Sequence, residues 1–282
     1  MTALVISVLL IFMVSIVAGV FGSLLGLGGG IIVIPALTLL FKIPIHYAIG
    51  ASIVSVIATS SGAAVVYVRD KLTNIRVGMF LELATTTGAL TGAFIAGLIR
   101  PHILYILFGL LLLFSAITML QKRNQELPVG GVPHPIANKL GLHGEYYDKA
   151  LEQQVRYKVT GVYGGFGMMY VAGVISGLLG IGSGSFKVMA MDMFMKLPMK
   201  VSSATSNFMI GVTAAASAGV YLMRGDIDPK IAGPVAVGVL IGAVFGTKLM
   251  QNLRSVTIRK IFIPVLVYVA IEMLLKGWGV IS

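Results

Sequence analysis

The sequence predicts an all-α polytopic membrane protein, built from two inverted repeats of about five membrane segments each, with broken or half-helices at two Gly-rich motifs. Three observations predict it. Hydrophobic residues make up 57% of the 282 residues and charged residues only 11%, and mean hydropathy is +0.97. That leaves too few polar groups to cover a water-facing surface, and at about 20 apolar residues per span the chain holds roughly eight to ten segments. The second observation is an internal register. A shift of 154 residues lays Gly26, Gly28 and Gly30 on Gly180, Gly182 and Gly184 without a gap, and with them Ala18-Gly19-Val20 on Ala172-Gly173-Val174. The same shift matches Lys42 and Pro44 to Lys196 and Pro198, Ser52 to Ser206, Tyr67 to Tyr221, and Gly88 and Gly92 to Gly242 and Gly246. Paired Lys-x-Pro and Tyr in one register indicate a duplication rather than shared membrane composition. The third observation is where the basic residues fall.

In the first half, apolar stretches run Leu4 to Leu25, Ile31 to Phe41, Gly50 to Val68, Val77 to Ile99 and Ile103 to Leu120. In the second they run Gly161 to Leu179, Phe186 to Met195, Ser202 to Met223, Ile231 to Met250 and Ile258 to Leu275. Ile31 to Phe41 and Phe186 to Met195 cover only about half the hydrocarbon thickness at about 1.5 Å per residue. Leaving out Lys187 and Lys248, which lie within apolar segments, if each returns as its own segment and the central loop is cytoplasmic, fourteen Lys and Arg lie inside and five outside: Lys42, Arg100, Arg224, Lys230 and Lys276. If each instead continues the preceding helix, the count falls to twelve against seven. The five-plus-five inverted arrangement obeys the positive-inside rule better. It divides the chain into an N-terminal transmembrane repeat (1–120), a cytoplasmic linker loop (121–160) and a C-terminal transmembrane repeat (161–282).

The formal charge of +11 belongs to this topology, with the lipid bilayer as partner and no nucleic acid. Met1-Thr2-Ala3 leads straight into apolar sequence without a basic n-region, so the first segment is expected to remain a helix. The linker carries Pro128, Gly130-Gly131, Pro133 and Pro135, followed by Tyr146 to Val155 with mixed charges. It reads as a loop with one short interfacial helix. His134 and His143 are isolated and there is no cysteine, so neither a metal site nor a cofactor is expected.

The chemistry concentrates at Gly26-Leu27-Gly28-Gly29-Gly30 and Gly180-Ile181-Gly182-Ser183-Gly184. Glycines crowded between two apolar helical stretches break the helix, and backbone freed inside a bilayer must be buried in protein or line a hydrated cavity. Neither motif has the strand context of a dinucleotide fingerprint or the Gly-Lys-Ser/Thr of a P-loop. Helix packing explains a pair such as Gly88 and Gly92, but not five crowded positions in both halves. The N–H groups opening the following half-helix suit an anion, which makes Gly28, Gly29, Gly30, Ser183, Gly184 and Ser185 candidate substrate contacts. Lys187, three residues after Gly184, is either the charge that meets a small anionic substrate or half of an ion pair with Asp192 or Glu82. Glu82 and Asp192 are acids embedded in apolar sequence, candidates for coupling or for structural hydrogen bonding. Ser52, Ser55, Thr59 and Ser60 in one half, and Thr205, Ser206, Asn207 and Thr213 in the other, supply hydroxyl and amide groups on the helices after the breaks. Such groups often bond only their own backbone; Ser52, Ser206 and Asn207 are the candidates for substrate.

Through Ala18-Gly19-Val20 leading to the first glycine run and Pro35, through Ala172-Gly173-Val174 leading to the second, and through Ala204-Thr205-Ser206-Asn207, the sequence resembles the sulfite exporter TauE/SafE family of membrane permeases. The resemblance covers nearly the whole chain. It implies transport without ATP hydrolysis, mostly as export, of sulfite, sulfoacetate or other sulfonates. The chain departs from the family pattern at Ser183, and at Met189, which matches Pro35. A non-enzyme of the cell membrane is expected, with a homo-oligomer left open. An anion channel and a membrane anchor subunit of a larger complex are the alternatives; an enzyme would need a nucleophile and base, and no His lies in an apolar span.

Overall fold

A computed structural model describes residues 2–25, 28–121, 134–148, 152–252 and 255–280. The chain runs α1 (Thr2–Leu25), α2 (Gly30–Pro35) continued by a π-helical turn (Ala36–Leu40), α3 (Ile45–Arg69), α4 (Ile75–Ala96) and α5 (Pro101–Gln121). A linker follows with α6 (Pro135–Lys139), β1 (Gly144–Asp148) and β2 (Gln153–Tyr157). Then come α7 (Val162–Leu179), α8 (Gly184–Met189) continued by a π-helical turn (Ala190–Phe194), α9 (Met199–Arg224), α10 (Pro229–Asn252) and α11 (Ser255–Gly277). Among the described residues six helices are long and apolar enough to cross a membrane, namely α3, α4, α5, α7, α9 and α10. The protein is a helical, multi-pass membrane protein.

The 154-residue register extends to the elements. Shifting Gly30–Pro35 and Ala36–Leu40 by 154 lands on Gly184–Met189 and Ala190–Phe194, and α3, α4 and α5 begin where α9, α10 and α11 do. Even the exits agree. Lys42 (φ 52) and Lys196 (φ 58) both take left-handed backbone after the π turn, and Ile43 and Leu197 donate their N–H to the carbonyls of Leu37 and Met191.

Small residues let the helices approach to backbone contact, and the contacts reveal directions. Along α1 and α10, Gly238 faces Phe12 and Ser15, Gly242 faces Ile16, and Gly246 faces Val20, so the two run parallel. The duplicate contact, α4 with α7, is also parallel, with Gly88 on Tyr170 and Gly92 on Val174. Two pairs of corresponding helices, α5 with α11 and α3 with α9, pack antiparallel. Gly109 of α5 meets Ala270 and Leu274 of α11 while Gly277 meets His102 and Ile106, and in α3 and α9 Gly50 meets Asp226 while Ser60 meets Gly211. Large apolar side chains such as Leu83, Phe94, Leu98, Leu222 and Phe245 face outward, while Ser52, Ser55, Thr205, Ser206 and Thr213 are buried between the helices. That distribution suits a lipid exterior.

The linker departs from expectation. Instead of a short helix over Tyr146 to Val155, an antiparallel hairpin pairs Tyr146 with Val155 and Gly144 with Tyr157, so the chain is not wholly α. Its aromatic and β-branched residues alternate: Tyr146, Val155 and Tyr157 are buried, and Tyr147, Gln154 and Arg156 face out. Period two is a strand pattern with one packed face. The short helix lies earlier, at α6, where His134 caps it by accepting from Ile136 N. The expected Pro128 to Pro133 loop lies outside the described residues.

Candidate functional site

Both breaks are built by glycine geometry. Gly180 ends α7 in left-handed backbone (φ 66), its N–H bonded to Ser176 O. Gly182 (φ 73) and its counterpart Gly28 (φ 76) turn the chain into the half-helices, a conformation that costs a side chain roughly 1 kcal/mol or more. Helix bonding then begins with Ile32 and Val33 N–H on Gly29 O, and with Phe186 and Lys187 N–H on Ser183 O. Gly26 and Leu27 lie outside the described residues.

The breaks meet where α3 and α9 pack. A Cβ at Gly30 would sit 3.0 Å from Gly180 O, and one at Gly28 would sit 3.8 Å from Ile181 O. Ser52 Oγ donates to Gly180 O at 2.7 Å, and Ser206 Oγ donates to Gly184 O at 3.3 Å. Among the predicted contacts Gly28, Gly29, Gly30, Ser52, Ser183, Gly184, Lys187, Ser206 and Asn207 are all buried, and Ser185 is half-buried.

The halves differ where the sequence differs. Gly29 has ordinary helical backbone (φ −64), whereas Ser183, its counterpart, is left-handed at φ 45. Ser183 is only 3% exposed, and its Oγ is buried without a hydrogen-bond partner. A strained, buried and unsatisfied serine is a costly arrangement.

Lys187 is fully buried. Its Nζ donates to Thr213 Oγ1 at 2.6 Å, and Thr213 Oγ1 lies 2.7 Å from Glu82 Oε1 and 2.8 Å from Met209 O. Thr86 also donates to Glu82 Oε1, at 2.9 Å, while Glu82 Oε2 is buried and unpartnered. Of the two acids considered as partners for Lys187, the structure brings Glu82 to it, through a threonine hydroxyl. Asp192 sits half-buried on the π-helical turn that follows α8. Asn207 Nδ2 donates to Ser203 O one turn back, at 3.1 Å, the bond a helical amide makes to its own backbone.

Two further residues contribute, one without a signal in the sequence and one with it. Thr213 stood only among the hydroxyls; nothing in its spacing says that α4, α8 and α9 converge on it. Tyr221 was visible as half of the duplicated Tyr67/Tyr221 pair, and its OH donates to Gly177 O at 2.9 Å, just before the second break. Beside it Arg224 stacks 4.4 Å above the Tyr221 ring, pairs with Asp226, and donates to Ala93 O at 3.0 Å.

The family model described as sulfite exporter TauE/SafE matches residues 11–273 of the chain. The chain is 26% identical over 278 residues to the "Probable membrane transporter protein YunE" of Bacillus subtilis, covering 96% of this chain and 98% of the relative. It is 27% identical over 252 residues to YdhB of the same organism, a protein of the same description, with 89% and 94% covered. To the "Probable membrane transporter protein MJ0441" of Methanocaldococcus jannaschii it is 24% identical over 281 residues, with 94% and 95% covered. No solved structure matches the chain.

Proposed function

We propose, from the premise that this chain belongs to the sulfite exporter TauE/SafE family of membrane transporters, that it exports sulfur-containing anions, sulfite, sulfoacetate or related sulfonates, by alternating access. The observation that carries this reading is the fully buried Lys187 beside two apposed helix breaks. A lysine within apolar sequence is expensive and marks a functional site by default. The orphaned Ser183 Oγ and the N–H groups that open α8, which have no partner within their own helix, add donors for an oxyanion. The substrate contacts are then Gly28, Gly29, Gly30, Ser52, Ser183, Gly184, Ser185, Lys187, Ser206 and Asn207, with Glu82 or Asp192 serving coupling.

The two halves, 1–120 and 161–282, act as inverted repeats of five segments each, joined by a cytoplasmic 121–160 loop. Antiparallel packing of α5 with α11 and of α3 with α9 supports this, because a two-fold axis pairs equivalent spanning helices antiparallel only when it lies in the membrane plane. Rocking of one repeat against the other around the breaks exposes the site to each face in turn.

Uptake and counterflow in proteoliposomes with a panel of sulfur oxyanions tests the function. Saturable counterflow of a sulfonate or sulfite by the purified protein is the expected result. Single-channel currents would favour an anion channel, and activity only with an added subunit would favour a membrane anchor.

A further inference from the structure

We propose that each monovalent anion crosses with one proton, carried by the Glu82 carboxyl, because Lys187 accommodates one negative charge at a time. The inference rests on the anion-transport reading above and adds to it the coupling ion, the residue that carries it and the stoichiometry.

Among the described residues, Glu82 and Lys187 are the buried charged side chains, and they share a single hydroxyl, Thr213. With Lys187 as ammonium and Glu82 as carboxylate, the empty site is neutral. An anion arriving at Lys187 would bring a second negative charge into a buried site, a cost that membrane interiors avoid. Protonation of Glu82 restores neutrality. The charge count is the same before and after: Lys187 with ionised Glu82 in the empty site, Lys187 with the anion and a neutral Glu82 carboxylic acid in the loaded one. The proton comes from water on the side where the anion enters and leaves to water on the other side.

Thr213 has the geometry to follow this change. A hydroxyl has one proton to donate, and Thr213 has two acceptors within reach, Glu82 Oε1 at 2.7 Å and Met209 O at 2.8 Å. Facing a carboxylate it donates to Glu82. When Glu82 takes a proton on Oε2, the negative charge that attracts the Thr213 proton is gone, and Thr213 turns to donate to Met209 O. The unpartnered Glu82 Oε2 is the atom open to the incoming proton. Charged neighbours do not compete. The elements packed most extensively on α4 are α7 and α9; α7 contains no Asp, Glu, Lys, Arg or His, in α9 Lys200 and Arg224 stand at the two ends, and on α4 itself Arg76 lies in the first turn. Lys187 on α8 is the charge that acts on Glu82.

The test uses methanesulfonate and isethionate, sulfonates too strong as acids to carry the proton themselves. Flux into proteoliposomes is measured under imposed pH gradients and, separately, under valinomycin-clamped potentials, with an internal pH dye. The wild type is expected to accumulate either anion about tenfold per pH unit of outside acidity, to acidify the lumen one proton per anion, and to ignore the potential. Glu82→Gln leaves Lys187 charged in the empty carrier. Its accumulation is expected to ignore pH and to rise about tenfold per 60 mV, inside positive. Should Glu82→Gln fail to fold, proton uptake and voltage response in the wild type decide alone. Wild-type flux that follows voltage without proton uptake overturns the coupling and leaves transport standing. Wild-type flux of neither sulfonate overturns the reading of the protein as a transporter of simple sulfonates. A Glu82→Gln protein still driven by pH removes Glu82 as the proton carrier.

Discussion

Ser52 Oγ donates to Gly180 O at 2.7 Å, so the third helix of the first half holds the carbonyl at the break of the second. The counterpart serine, Ser206, donates within the second half, to Gly184 O, at the longer distance of 3.3 Å. Ser52→Ala is therefore expected to lower stability by about 0.5–1.5 kcal/mol and Ser206→Ala by less. Melting in detergent, followed by size-exclusion fluorescence, checks the order; equal losses would mean that the bond to Gly180 adds nothing special.

The backbone approaches predict which glycines tolerate a methyl group. At Gly173 a Cβ would collide with the backbone of Thr85, and at Gly242 with that of Ile16, whereas Gly219 and Gly233 have nothing within 4 Å. Gly173→Ala and Gly242→Ala should cost about 1–3 kcal/mol through overpacking. Gly219→Ala should be neutral or stabilising by up to about 1 kcal/mol, from helix propensity. The same melting assay separates them.

A double-mutant cycle tests the buried charges. Lys187→Met and Glu82→Gln each leave one charge without its counterpart, at a cost of about 3–5 kcal/mol where that charge persists. The double variant removes both and should recover most of the loss. Additive losses would show that Thr213 does not couple the pair.

The linker hairpin should respond to alkali. Asn74 caps α4 by accepting from Val77 N, and its Nδ2 donates to Leu142 O and Tyr157 Oη, both at 2.9 Å. Burial pushes the Tyr157 phenol up, partly offset by the Asn74 bond. A raised folded value means that this contribution is complete below the ordinary tyrosine range, about 10, and is lost as pH rises through the folded value. Trypsin cleavage at Arg156 or Lys158 should accelerate above about pH 10, and at neutral pH in Asn74→Ala, which loses a cap worth about 1 kcal/mol. Unchanged cleavage in both would contradict the docking.

Orientation is tested by labelling, since the chain has no native cysteine. Tyr147→Cys should react from the cytoplasmic side and Trp278→Cys from outside; both positions are exposed. Labelling of both from one side would contradict inverted repeats of five segments.

Much of this architecture was legible because it is written locally. Crowded Gly28-Gly29-Gly30 and Gly182-Ser183-Gly184 break a helix wherever they stand, and the 154-residue register carried Lys42, Pro44 and Tyr67 onto their counterparts. The linker was misread because Tyr146 to Val155 is short and mixed in charge, and its alternation becomes decisive only once one face packs on Asn74 and Leu142. Thr213 could not be singled out, since its role depends on residues 131 and 26 positions away in the chain. Asn207 attracted notice as an isolated amide, and its amide nitrogen is bonded to Ser203 O.

The central claim is that Lys187 supplies the charge that holds the anion. Equilibrium binding of a radiolabelled sulfonate to purified Lys187→Met, with its melting curve recorded beside it, tests this most directly. An affinity at least about tenfold weaker, equivalent to about 1.4 kcal/mol, in a protein that remains folded is the predicted result. Wild-type affinity for sulfite and sulfonates in well-folded Lys187→Met would contradict it.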